Sequence, residues 1–129
     1  MKTRQGFTIF EVIVVLLIVG IGTILFFLQK MNIDAMNRDS DRKVAINAMY
    51  FNLEEDYYAR NNYYPENIGP DELKAMDPNL FTDPIGLIIN TDGSSYSYEP
   101  SNCVDGKCKS YILRAVLEKE DIFIRQSRN

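Results

Sequence analysis

Histidine is absent from this 129-residue chain, which removes the commonest general base and the commonest zinc ligand. No Ser-His-Asp or Cys-His arrangement can be built without it. Cysteine occurs only at Cys103 and Cys108, too few for a metal site of four thiolates. Basic excess is lacking too. Fourteen Lys and Arg stand against 18 Asp and Glu, a net charge of -4, which disfavours a general nucleic-acid binder. There is no GxxxxGK phosphate loop and no EF-hand spacing. The carboxylate pairs that remain, Glu54 with Glu55 and Glu118 with Glu120 and Asp121, sit in polar runs that read as solvated. The chain is therefore read as having no catalytic residues, no resident metal and no cofactor.

Charge is missing altogether from residues 12–28, VIVVLLIVGIGTILFFL. As a helix this run spans about 25 Å, and about 33 Å when started at Phe7, enough for a hydrocarbon core. A domain this small has no interior to bury such a run on all sides. A cleaved secretory signal is the competing reading, but Gln29, Lys30 and Met31 follow where a small-x-small site would be needed. The sharper junction is Gln5-Gly6-Phe7. Lys2 and Arg4 in front of the run keep that end cytoplasmic and place the C-terminal part outside. Glu11 is a carboxylate at the edge of the apolar run. Either it rests near the headgroups, or it waits for a cation. Cleavage between Gly6 and Phe7 would create an amine four residues before Glu11, able to meet the Glu11 of a packed neighbour.

The sequence Gly6-Phe7-Thr8-Ile9-Phe10-Glu11, with a short basic leader before it and an apolar run after it, resembles the class III signal of type IV prepilins and type II secretion pseudopilins. The resemblance implies cleavage after Gly6 by a membrane peptidase, methylation of Phe7, and a role for Glu11 in inserting the subunit into a filament. Many pilins carry a proline where this chain has Leu28. Gly20 and Gly22 are the weak helix points here, either melting locally or letting helices approach closely.

No proline or glycine lies between Thr23 and Tyr64. Ala45, Ile46, Met49, Tyr50, Leu53 and Tyr57 recur at three- and four-residue steps, with Asn47, Asn52, Glu54, Glu55 and Arg60 opposite. The spacing predicts one continuous helix from Phe7 to about Ala59. Its charged middle, residues 31–44, is either a solvated face or a surface for neighbouring stems. Asn61-Asn62-Tyr63-Tyr64-Pro65 stops it. A short helix is expected to start at Gly69-Pro70-Asp71-Glu72-Leu73, with strands over 85–89, 95–99, 111–117 and 121–126. The fold class is α+β, a long N-terminal helix against a small antiparallel sheet. Four segments follow: leader 1–6, apolar helix 7–30, amphipathic helix 31–62 and head 63–129. Tyr50, Phe51, Tyr57, Tyr58, Tyr63 and Tyr64 are expected to fill core and sheet, with a sugar-binding patch as the alternative.

Cys103 and Cys108 flank an Asp105-Gly106 turn that brings them within reach of a disulfide, in keeping with an outward-facing head. Tyr64-Pro65, Asp83-Pro84-x-Gly86, Tyr96, Tyr98 and the run from Tyr111 to Glu118 resemble the major pseudopilin loosely. The calcium site of that class needs a longer loop than Thr91-Asp92-Gly93-Ser94, so no metal is expected. The resemblance implies a homo-oligomeric filament in the inner membrane and then on the cell surface. Its partners would be minor pilins, a prepilin peptidase, an assembly platform protein and an ATPase. Without Lys2 and Arg4 the chain holds 12 basic against 18 acidic residues, so no general nucleic-acid binding is expected. A pilin is favoured over a secretion pseudopilin, and a membrane-anchored binding domain that never polymerises is the rival of another class.

Overall fold

The computed structural model describes residues 6–129; the leader charges Lys2 and Arg4 lie outside the described residues. Helix α1 covers Ile9–Phe51, a π-helical segment Asn52–Tyr58, and α2 Ala59–Asn61. Strands follow at Tyr64–Pro65 (β1), Tyr96–Ser101 (β2), Lys107–Cys108 (β3), Ser110–Ala115 (β4) and Phe123–Gln126 (β5), with a 3-10 turn at Pro78–Phe81. Two compact units divide the chain, Met1–Ala35 and Met36–Asn129.

In the first unit, α1 is apolar all round and nothing covers it. Val15, Leu16, Leu17, Ile18, Ile24, Leu25, Phe26 and Phe27 are all exposed. A soluble helix buries one stripe, whereas a helix apolar on every side suits lipid or neighbouring helices. Among the described residues this is one helix long and apolar enough to cross a membrane.

The second unit is an α+β head. Ala45, Ile46, Met49 and Leu53 bury one helix face, and Tyr64, Leu73, Phe81, Tyr96, Tyr98, Tyr111, Leu113 and Ala115 complete the core. Each of the large aliphatic and Phe or Met side chains removed from water contributes roughly 1.5–3 kcal/mol before entropy is counted, and the alanines less. Strands order as β2-β4-β5, all antiparallel, with Tyr96 opposite Ala115 and Tyr98 opposite Leu113. Alternation along β4 turns Tyr111, Leu113 and Ala115 inward. A second small sheet pairs β1 with β3, fastening the stem exit to the cysteine hairpin.

Four local expectations are refined or corrected. The long helix expected to reach about Ala59 runs from Ile9 to Asn61, but its turns over Asn52–Tyr58 are π-helical rather than α-helical. The wider turn shifts the phase, so Leu53 and Glu54 both face inward and Glu54 is only 6% exposed. Its carboxylate accepts from the Tyr64 hydroxyl at 3.0 Å and the Tyr111 hydroxyl at 2.8 Å. Two buried phenols need an acceptor, and Glu54 supplies it. Second, no helix starts at Gly69. A single Leu73 N–H to Gly69 carbonyl bond closes a turn there. The 3-10 turn begins later, where Asp77 accepts from the Asn79 N–H at 2.9 Å and Pro78 follows it.

Third, residues 85–89 form no strand beyond one Thr82–Ile88 bridge. The Asp83 carboxylate competes for that backbone. It accepts from the N–H groups of Ile85, Leu87 and Ser95 and from the Ser95 hydroxyl, at 2.8–3.0 Å. Burial pushes the Asp83 carboxyl up, but these donors outweigh it and hold it below the usual range. Fourth, the charged stretch 31–44 is not simply a solvated face. Asp39 and Arg42 are 2% and 3% exposed. Arg42 Nη1 donates to Asp39 at 2.8 Å and to Glu118 at 2.9 Å, and its Nε donates to Ser95 Oγ at 3.2 Å. Asp39 also accepts from the N–H groups of Glu118 and Lys119, both at 2.8 Å. Arg42 thus ties the stem to the loop after β4 and, through Ser95, to the Asp83 turn. Glu118, expected in a solvated run, is paired with Arg38 and Arg42, and Glu120 with Lys43. Phe51, expected in the core, is about half exposed.

Candidate functional site

Gly6, Phe7 and Thr8 precede the helix, which begins at Ile9. Thr8 is the reason it begins there. Its backbone N–H donates to Glu11 Oε2 at 2.9 Å and its hydroxyl donates to the same oxygen at 3.1 Å. The Glu11 N–H in turn donates to Thr8 Oγ1 at 3.2 Å. This reciprocal pair is a capping box, which satisfies orphan donors at a helix start. A carboxylate in the first turn is also favoured by the helix dipole. Glu11 is therefore partnered within its own chain. Both bonds donated by Thr8, one from its backbone and one from its hydroxyl, fall on Oε2, and among the described residues none falls on Oε1.

The Gly6–Phe7 peptide lies outside the helix, and Phe7 is 85% exposed. A hollow of about 470 Å³ is bordered by Gly6, Phe7, Thr8 and Glu11. A protease binds its substrate as extended chain, and Gly6 and Phe7 need no helix unwound to provide it. Thr8 was missed in the reading of the sequence. Its signal was the Thr-x-x-Glu spacing directly before an apolar run.

Gly20 and Gly22 lie inside α1, which passes through both without a break. A Cβ at either position would meet nothing within 4 Å. Far along the chain, Cys103 and Cys108 are joined by a disulfide across a two-residue turn. Val104 and Lys107 exchange backbone hydrogen bonds of 2.9 and 3.0 Å. Asp105 and Gly106, at φ 51° and 75°, adopt the left-handed conformations that a tight hairpin turn requires. Among the described residues, no three His, Cys, Asp or Glu side chains gather as metal ligands.

No curated protein and no solved structure matches the chain. Its N-terminal segment does match a family model. Residues 1–27 carry the prokaryotic N-terminal methylation motif, the class III prepilin signal of type IV pilins and pseudopilins.

Proposed function

We propose that this chain is a structural subunit of a type IV pilus-like filament. It enters the inner membrane as a single-pass precursor with its head outside. A prepilin peptidase cuts the Gly6–Phe7 bond and the new Phe7 amine is methylated. Residues 7–30 then leave lipid for the filament core, residues 31–62 continue the stem, and residues 63–129 form the outer head. The single observation that carries this reading is the methylation motif over residues 1–27, set on a helix that exposes apolar side chains all round. Glu11 selects the register in this scheme. Its Oε2 stays with Thr8, while Oε1 takes the amine of a neighbouring Phe7, a pairing that offsets the cost of a charge among apolar helices. Gly20 and Gly22 offer open backbone to a neighbouring helix. Minor pilins, a platform protein and an ATPase complete the assembly, and the filament serves adhesion, motility or DNA uptake.

Intact-mass analysis and N-terminal sequencing of protein sheared from the cell surface test the proposal. The expected chain begins at methylated Phe7 and is abundant in that fraction. A chain that still begins at Met1 and stays in membranes refutes the filament and leaves an anchored binding domain. The Asp83-Pro84-x-Gly86 turn supports a second reading, the pseudopilin of a type II secretion system. Processed protein confined to the envelope would favour that reading.

A further inference from the structure

The disulfide hairpin and the end of the helical stem enclose a cleft of about 610 Å³. Its walls combine two phenol rings, Tyr58 and Tyr63, three carboxamides, two of them Asn62 and Asn102, two ammonium groups, Lys107 and Lys109, and the carboxylate of Asp105. The two rings are half-buried, so they are held in place yet keep a free surface. Three things hold the walls. The Tyr58 ring stacks on buried Tyr64 at 4.8 Å. The β1–β3 pairing sets Tyr64 opposite Cys108, and the disulfide closes the turn. Asn62 and Asn102 both sit at positive φ, 60° and 54°, so each marks a chain reversal at the rim of the cleft.

The two lysines of the cleft belong, with Lys74, Lys119 and Arg125, to the head cations that make no ion pair among the described residues. Arg38, Arg42, Lys43, Arg60, Arg114 and Arg128 each pair with a carboxylate. Lys107 and Lys109, flanking inward-facing Cys108, pair with none among the described residues. Lys107 lies over the Tyr63 ring at 5.3 Å, and Lys109 has no partner there. Two cations without an ion pair stand in this cleft against one lining carboxylate, that of Asp105, which leaves the cleft open to an anion from outside. The other groups limit which anion. Phenol rings cover the apolar face of a pyranose, carboxamides bond its hydroxyls, and an ammonium group binds a carboxylate. A nucleic acid fits less well. Its affinity grows with the number of phosphates neutralised, and this cleft offers two cations beside the opposing carboxylate of Asp105.

We propose that this cleft binds an acidic saccharide, with the sugar ring on Tyr58 and Tyr63 and its carboxylate on Lys107 and Lys109. The site belongs to the head alone and stands whether or not the chain forms filaments.

The test is calorimetric titration of the full chain in detergent micelles with an oligogalacturonate, with a neutral cello-oligosaccharide and with single-stranded oligothymidylate. The acidic sugar is expected to bind, and the neutral sugar and the oligonucleotide to bind at least tenfold more weakly. Lys107→Ala with Lys109→Ala should weaken binding about tenfold or more, roughly 1.4 kcal/mol per tenfold. Both lysines are exposed, so the thermal midpoint should hold. Tyr63→Ala should weaken both sugars alike. No binding of the acidic sugar, equal binding of the neutral one, tighter binding of the oligonucleotide, or indifference to the double lysine substitution would each overturn the proposal.

Discussion

Arg42→Met is the most informative single substitution in the head. Methionine keeps much of the aliphatic stem of Arg42 but removes the guanidinium that reaches Asp39, Glu118 and Ser95. Asp39 stays behind, 2% exposed, with two backbone N–H donors and no counter-ion. Removing one partner of a buried pair typically costs about 3–5 kcal/mol, because the remaining charge is stranded. That is a large part of the 5–15 kcal/mol that holds an ordinary domain. Arg38→Met is the internal control. Arg38 and Glu118 are each about one-third exposed at their side chains, and Glu118 keeps Arg42 as a partner. The control should therefore lose only a small fraction of what Arg42→Met loses.

Urea unfolding of the full chain in micelles, followed by near-ultraviolet circular dichroism of the tyrosines, measures both variants. The penalty of Arg42→Met should also shrink as the pH falls toward 4. With its cation gone, the Asp39 carboxyl rises and takes a proton, which relieves the stranded charge. If the two variants lose equal stability, or if the penalty of Arg42→Met does not change with pH, then Asp39 and Arg42 do not anchor the loop after β4 as the geometry requires.

Acid should act on the unmutated chain in the opposite sense. Burial raises the Asp39 and Asp83 carboxyls, but their backbone donors win, and Arg38 then Arg42 hold Glu118 down at about 2. Carboxyls lowered in the folded state add stability above the unfolded values near 4 and lose it as protons bind below, so unfolding titrations should show stability falling between about pH 4 and 2. The alkaline side has the mirror-image sign. Burial pushes Tyr64 and Tyr96 up to about 12 and Tyr98 and Tyr111 higher still. Absorbance at the tyrosinate band should thus show Tyr64 and Tyr96 ionising only near 12, above the unfolded value near 10, with stability lost across that interval; all eight tyrosines titrating together near 10 would contradict the buried cluster. Cys103→Ser with Cys108→Ser should cost about 2 kcal/mol, since the loop is short, and a loss above ~4 kcal/mol would mean the bridge does more than close a hairpin. Glu11→Ala should leave cleavage intact and impair fibre assembly; normal fibres from that mutant, seen by electron microscopy of sheared material, defeat the pairing with Phe7.

The parts of this molecule that were legible in its sequence are those whose cause is local. Lipid demands one unbroken apolar run, so residues 12–28 declare themselves. A pleated strand demands alternation, so Tyr111, Leu113 and Ala115 were placed on one face before any neighbour was known. The Asp105-Gly106 turn needs only its own two residues. The parts that were not legible have distant causes. Nothing beside Asp39 foretells that the N–H groups of residues 118 and 119 will close on it. Glu54 looks like a solvent-facing helix residue until the Tyr111 hydroxyl arrives from 57 positions away. The residue that accepts from it lies in the π-helical segment Asn52–Tyr58, where Leu53 and Glu54 are both buried.

A common chemistry connects the carboxylates whose burial was misread with the one whose role was singled out. Asp39, Asp83 and Glu54 each accept several donors, backbone N–H groups among them, and each fixes a segment that has no ladder of its own. Glu11 does the same at the helix start through Thr8. The difference lies in what surrounds the oxygens. In the head the protein supplies their donors, and for Asp39 the Arg42 cation as well, so the charge is spent on structure. At Glu11 one oxygen is engaged by Thr8 and no cation lies beside the pair among the described residues, on a helix that exposes apolar surface to anything able to cover it. An acid held in that state is stable enough to wait and incomplete enough to select. In the proposed filament it would distinguish a neighbour that brings an amine at the right height from one that does not, which apolar contact alone cannot do.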